Sequence, residues 1–574
     1  MLLQRIAHLR RPLRPPNNIL RHRPRHRLFT HNSQLLLLFP SATRPQIPFL
    51  HSSSRKSKQN FTLSSQLNRF LSTERKARWK ERMRWQLRFH AYFWPAAIMI
   101  MLAGAGTHQL YLERKYPTPR EWSFGSRWVL RSAMTREFEP FSRIDGVIVD
   151  WARVGSYYKL LVERLEDPEI DGQNLIEQDE GGILVDGVGR TGFDISMKPE
   201  SWGRGYHQAL MGAAKSAEHL DGYVTDRKRK KVFPKEMMIG PSNPRPKPKP
   251  YGWHDPPKEE NCDPAYASPQ VFYMRILTTK GFSTRQRLDA ALAYADWLDF
   301  KGLAETAESM YDWALDIAAG ALPMGSKNVV DMKTGVINPR AEAPASENLL
   351  KASTALGVHH ALHNNVQSAL PIFLSVLKAR KDLPPDPLSH ARPKELSKPK
   401  EESVISAYLR AIKDWLVEAP YPPSPPSGDE PPFHTLEEAC EEVGLMTYIG
   451  EILYATSSKE KGLSWTRDAV DAAEAIMWMM KEEDRKDGGE RCQECLETGL
   501  NNWKKMARSM AKQAEKKENK NGSKSSGWLN FGRGDAADQS RRWEEELTQI
   551  DLRIQKTIPL VKPLEPARSS WLSV

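Results

Sequence analysis

Two stretches decide the reading of this chain: Leu288–Ala318, LDAALAYADWLDFKGLAETAESMYDWALDIA, and Leu349–Lys378, LLKASTALGVHHALHNNVQSALPIFLSVLK. In the first, Ala295, Gly302, Ala307, Tyr311 and Ala314 are spaced 7, 5, 4 and 3. In the second, Gly357, Asn364, Ala369, Phe373 and Val376 repeat that spacing. Each position has a physical task. A small residue at 295 or 357 lets a second helix approach closely. Gly302 and Asn364 can take the left-handed conformation that ends a helix. Ala307 and Ala369 open the buried face of a following helix, and Tyr311 or Phe373 fills that face one turn later. The spacing therefore predicts a helix, a tight turn and a returning helix, built to stack on another such pair.

Working outward, matching positions of the two blocks lie 62 residues apart, because a Pro- and Gly-containing insertion, Gly320–Glu347, separates them. A third unit follows from Ile449, Gly450 and Leu453 on a first helix and Ala469, Ala473 and Ile476 on a second, with a linker seven residues longer. Trp202–Leu220 and Pro269–Thr279 read as an earlier, interrupted pair. Ser156–Glu166 and Trp543–Ile558 also carry apolar residues at helical spacing. Pro241–Pro257, Pro384–Lys400 and Pro420–Pro432 read as Pro-rich loops, the basic run Arg227–Lys231 as a solvated insertion, and Lys512–Gly534 as a flexible, charged segment. The expected fold is all-α: helix pairs stacked into a degenerate solenoid with long Pro-rich insertions.

Charge is distributed unevenly. The 574 residues carry 84 Lys and Arg against 71 Asp and Glu, a net charge of +13. Up to Arg88 there are twenty basic residues and two acidic ones, a net of +18, which leaves −5 for the rest. The high isoelectric point thus belongs to the N-terminus. Nucleic-acid binding is disfavoured, because it needs a basic face on the folded domain itself. An acid-free, Arg- and Ser-rich leader has the composition of a mitochondrial presequence. Arg69-Phe-Leu-Ser72 resembles a matrix processing site.

Phe89–Leu112 then runs for twenty-four residues without Asp, Glu, Lys or Arg, and about 20 such residues cross a bilayer as a helix. Tyr92, Phe93 and Trp94 at one end and Tyr111 at the other suit the two interfaces. Seven Lys or Arg occupy the fifteen positions before the span and four the fifteen after it. The positive-inside rule then leaves the N-terminus in the matrix and the body in the intermembrane space. The expected organisation is a presequence over 1–72, a basic matrix-side segment over 73–88 and a membrane helix over 89–112. A helical region with a Gly-rich loop follows over 113–200, then the helical-repeat domain over 201–510, a flexible linker over 511–540, and a C-terminal helix and tail over 541–574.

The small, Gly, Ala, aromatic, Ala pattern of the two blocks resembles the tetratricopeptide repeat position by position. It departs from that family in the 62-residue offset and in lacking the terminal Pro after Ala314. The layout as a whole is similar to the fungal tetratricopeptide adaptors of the mitochondrial inner-membrane i-AAA protease. That resemblance implies a protein that holds unfolded polypeptides in the intermembrane space and presents them to the protease. The competing expectation is a tetratricopeptide assembly factor for a respiratory complex.

Enzymatic motifs are wanting. Gly187-Val-Gly-Arg-Thr-Gly192 has the form of a dinucleotide-binding loop, but Phe193–Pro199 cannot open the helix that would follow. His359 and His363 share a helix face, without the acidic partner of an HExxH motif, and read as helix-surface histidines. Cys492 and Cys495 read as two cysteines on one helical turn, with no further ligands for zinc and no disulfide framework. The expectation is a non-enzymatic protein with no catalytic, cofactor or metal site, whose partners are the inner membrane and other polypeptides.

Overall fold

The computed structural model describes residues 73–138, 149–178, 192–322, 328–341, 343–385, 421–482, 489–524 and 533–561. Among them are thirteen α-helices and one three-stranded sheet. The first helix, α1 (Thr73–Lys115), continues through Pro95. Among the described residues it is the one helix long and apolar enough to cross a membrane. The chain divides into a unit ending at Met99 and a unit from Ile100 onward; all that follows lies in the second.

That unit is built from α2 (Phe124–Phe138), α3 (Trp151–Glu166), α4 (Glu200–Leu220), α5 (Pro269–Thr278), α6 (Thr284–Phe300), α7 (Ala304–Gly320), α8 (Glu347–Leu362), α9 (Val366–Lys381), α10 (Leu436–Thr456), α11 (Lys459–Glu482), α12 (Gly489–Lys524) and α13 (Arg533–Val561). From α2 to α13 each helix packs on the next in chain order. Contacts that skip one helix also occur: α6 touches α8 and α10 touches α12, with smaller contacts of α4 to α6 and α11 to α13. Short turns fold α7 back on α6, α9 on α8 and α11 on α10, so the apolar stripes of each pair meet locally.

Caps mark where the helices start. Ser283 and Gln286 form a reciprocal capping box at α6, and Ser346 and Thr435 accept backbone N–H bonds at the starts of α8 and α10. The turns ending the first helices use left-handed residues, Gly302 at φ +76° and Asn364 at φ +61°. Ala295, Ala307, Ala314, Ala369 and Val376 are wholly buried, and Tyr311 and Phe373 nearly so. Gly357 permits a close crossing: a Cβ there would stand 2.8 Å from the Phe373 ring. Gly450 does the same for α10 and α11, since its Cβ would meet Thr466 Oγ1 at 2.7 Å.

Two apolar cores result. One runs from Trp122 through α3–α9 to Leu445, Ile449 and Ile452 of α10. The other joins Cys440 and Val443 of α10 to α11, α12 and α13. Helix α10 feeds both and couples them.

The structure differs from the sequence reading in three places. The fold is mostly helical but not all-α: β1 (Tyr223–Asp226), β2 (Lys231–Pro234) and β3 (Cys262–Pro264) form an antiparallel sheet in the order β2-β1-β3. The basic run Arg227–Lys231, read as a solvated insertion, is exposed and forms the β1–β2 turn and the first residue of β2, where Arg227 pairs with Asp263 and Arg229 with Asp226. Lys512–Lys524, expected to be flexible, continues α12, and α13 begins at Arg533. Finally, Cys492 is bonded to Cys440 of α10 rather than being a bystander beside Cys495. The Gly-rich loop before Gly192 and most of Pro384–Lys400 lie outside the described residues.

Pro420 lies outside the described residues; Tyr421–Pro432 is a loop, and an anchored one. Arg204 of α4 donates to the carbonyls of Pro422 and Pro423 at 2.6 and 2.8 Å and stacks on Tyr421. Asn348 of α8 donates to Ser427 O and Asp429 Oδ1, both at 2.9 Å.

Candidate functional site

Helices α6, α8, α10 and α12 line a cavity of about 710 Å³. From α6 it takes Arg285, Asp289, Leu292, Ala293 and Asp296; from α8 it takes Glu347, Lys351, Thr354, Ala355 and Val358. Both sets follow one helical face at i, i+4, i+7, i+8 and i+11. They are also offset from each other by 62 residues throughout, the offset of the quoted repeat. The groove is therefore a product of the repeat: equivalent faces of equivalent helices are set side by side.

Equivalent positions carry opposite charges. Arg285 pairs with Glu347 at 2.9 Å and Asp289 with Lys351 at 2.6 Å, so two rungs tie α6 to α8. Further along, Arg380 pairs with Glu438, and Arg491 reaches Glu441 at 3.3 Å. The cavity has six carboxylates against four cations, over an apolar floor of Leu292, Ala293, Ala355 and Val358. Burial holds the Asp296 and Glu438 carboxyls above the usual range, opposed by the Tyr311 hydroxyl at Asp296 and the Arg380 guanidinium at Glu438.

A second cavity, of about 620 Å³, shares Ala293 and Asp296 with the first and extends across α6 toward α2, α3 and α4. Its lining is mostly apolar, with Phe138, Met211, Trp297 and Phe300. Phe300 is 85% exposed and Phe138 60%. The two cavities make one trough, aromatic at one end and charged at the other. Its surface offers side-chain pockets and salt-bridging groups, and the Tyr158 and Tyr273 hydroxyls donate to Glu137 and Glu218 at 2.7 and 2.6 Å.

The repeat residues lie behind this trough. Ala295, Gly357, Ala307, Ala369, Tyr311 and Phe373 are packing positions that set helix spacing. The groove residues were not singled out in the sequence. The signal that finds them is the 62-residue offset, applied to the polar positions as well as the apolar ones.

Of the two histidines expected on the helix surface, His363 is exposed and His359 is not. His359 is 2% exposed and lies against Asp299 of the preceding unit, with Nδ1 2.8 and 3.0 Å from its two carboxylate oxygens. His363 Nε2 lies 3.0 Å from Asp299 Oδ1. The acidic partner missing from the local motif is supplied from sixty residues upstream. Cys495 is a buried free thiol beside the Cys440–Cys492 bond, and burial pushes its pKa up to about 11, which keeps it protonated.

No protein family, curated protein or solved structure matches the chain.

Proposed function

We propose that this protein is a non-enzymatic adaptor of the mitochondrial inner membrane, anchored by α1, whose tetratricopeptide-like helical repeat holds unfolded polypeptide segments in the intermembrane space. The observation that carries the reading is the trough along the first helices of successive pairs. An extended chain can lie across α4, α6, α8 and α10 and meet the same kind of surface at each step, gaining affinity from many modest contacts. The aromatic end suits apolar side chains. The excess of carboxylates at the other end suits basic ones. The disulfide between α10 and α12 supports an oxidising compartment for the body. Confinement to the membrane surface raises the effective concentration of a captured segment for a neighbouring membrane protease of the i-AAA type.

The test uses the full chain in detergent with a photoreactive residue at Ala355. It should crosslink an unfolded, Lys-containing reporter and not its folded form. Phe300→Asp, at an exposed position, should weaken binding about tenfold while thermal stability stays unchanged. In cells, loss of the protein should lengthen the reporter's half-life with the protease still assembled. An unchanged half-life together with defective assembly of a respiratory complex would replace the adaptor by an assembly factor.

A further inference from the structure

We propose that Asp299, His359 and His363 form a binding site for a divalent first-row metal ion, zinc foremost, that clasps the first two repeat units together. The three side chains come from the last turn of α6, the last turn of α8 and the residue capping α8, and their ligand atoms all lie within 4.8 Å of one another. Two imidazoles and one carboxylate are a donor set suited to zinc, with the fourth tetrahedral position left to water or a partner's side chain.

Both histidine–carboxylate separations need little change to accept the ion. Ligand atoms around a tetrahedral zinc at about 2.0–2.1 Å stand roughly 3.3 Å apart. In the structure His359 Nδ1 and His363 Nε2 already lie 2.8 and 3.0 Å from Asp299 oxygens. An expansion of about 0.3–0.5 Å would seat the metal where protons are now shared.

The surroundings favour a cation. Both ion pairs of Asp299 among the described residues are to histidine, with no Lys or Arg competing for it. The Tyr311 hydroxyl donates to Asp296 at 2.6 Å and lies 3.2 Å from Asp299 Oδ2, so it steadies the carboxylate from outside the ligand shell. Asp312 faces His359 and His360 closely enough for their charges to act on its carboxyl. The site also sits where α6 and α8 end, and helix C-termini carry partial negative charge. Access is provided by His363, whose side chain is 37% exposed, whereas His359 is buried.

The inference is independent of the peptide groove, because the ligands are not among the residues lining it. Its test uses the full chain in detergent, stripped with EDTA and titrated with zinc chloride, then with cobalt chloride as a spectroscopic probe. The parent should bind one equivalent of zinc, melt at a higher temperature when loaded, and give the intense visible bands of low-coordinate cobalt. His363→Ala, at a part-exposed position, should keep its apo melting temperature and lose affinity at least tenfold together with those bands. His360→Gln, whose ring is not a ligand, should bind as the parent does. Should His363→Ala fold poorly, His363→Gln takes its place, with the same loss expected. Equal zinc affinity in the parent and the His363 variant, or no saturable binding by the parent, would overturn the site and leave a histidine–carboxylate network that holds only protons.

Discussion

Ala307 and Ala369 are wholly buried at the helix–helix contacts of their units. Replacing either with Arg puts a long charged side chain into a close-packed space with no counter-ion. Each substitution should cost about 3 kcal/mol or more, read as a lower melting temperature and faster proteolysis of the body. Lys247→Arg, at an exposed position paired with Glu236, should change neither. Gly302 tests the turn separately. A Cβ there would meet nothing within 4 Å, but φ is +76°, so Gly302→Ala should cost about 1–2 kcal/mol through backbone strain alone. Equal stability of all four variants would remove the helix-pair description. These positions could be found because their task is local: a small residue, a left-handed turn and an aromatic ring within thirty residues define one helix pair. Asp299 could not be found this way, since its histidines lie in the next unit and no local spacing joins them.

At the scale of elements, α4 and α6 are joined by a half-buried histidine. His207 of α4 lies 3.1 Å from the Gln286 carbonyl in the first turn of α6, and burial pushes its pKa down to about 4, with Asp289 acting weakly the other way. The folded pKa lies below the unfolded value of about 6.5. The unfolded chain therefore takes up the proton first, and stability is full above pH 6.5 and lost as pH falls toward 4. The loss should approach about 3 kcal/mol at most, measured by denaturation across that range. His207→Asn should flatten that part of the profile.

The Cys440–Cys492 bond closes a loop of sequence separation 52 between α10 and α12. Reducing it should cost up to about 4 kcal/mol by loop entropy and loosen the second core before the first, seen as earlier hydrogen exchange in α12. No stability change on reduction would show that α11 and the second core suffice. This pairing was not legible, because CxxC draws attention to Cys495, the neighbour in sequence. Helix packing instead presents Cys440, the neighbour in space. The small sheet escaped for a related reason: its strands are three or four residues long, too short for a period-2 pattern to stand out beside a run of five basic residues.

For the whole molecule, the expected arrangement is one membrane span with the body on the far side of the inner membrane. The protein should stay in the pellet after alkaline carbonate extraction. A C-terminal tag should resist protease in intact mitochondria and be digested once the outer membrane is ruptured. A tag still protected then would reverse the orientation. The acidic excess of the trough adds a second expectation at this scale. Capture of a basic unfolded segment should weaken as salt is raised, while capture of an uncharged apolar one should hold steady.

The sequence by itself determined that the chain is mostly helical, where its helix pairs turn, and that one apolar stretch can span a bilayer. These are properties of short windows, governed by side-chain periodicity, turn conformation and local hydropathy. Only the tertiary structure decided what the pairs build together. Stacking two units 62 residues apart aligns Arg285 with Glu347 and Asp289 with Lys351 and sets Asp299 against His359 and His363, while packing α12 on α10 brings Cys440 to Cys492. Each of these partnerships joins residues 52 to 64 positions apart. It exists because helices distant in sequence pack side by side, and charge, thiol or ligand complementarity over that distance is visible only once the register of the packing is known.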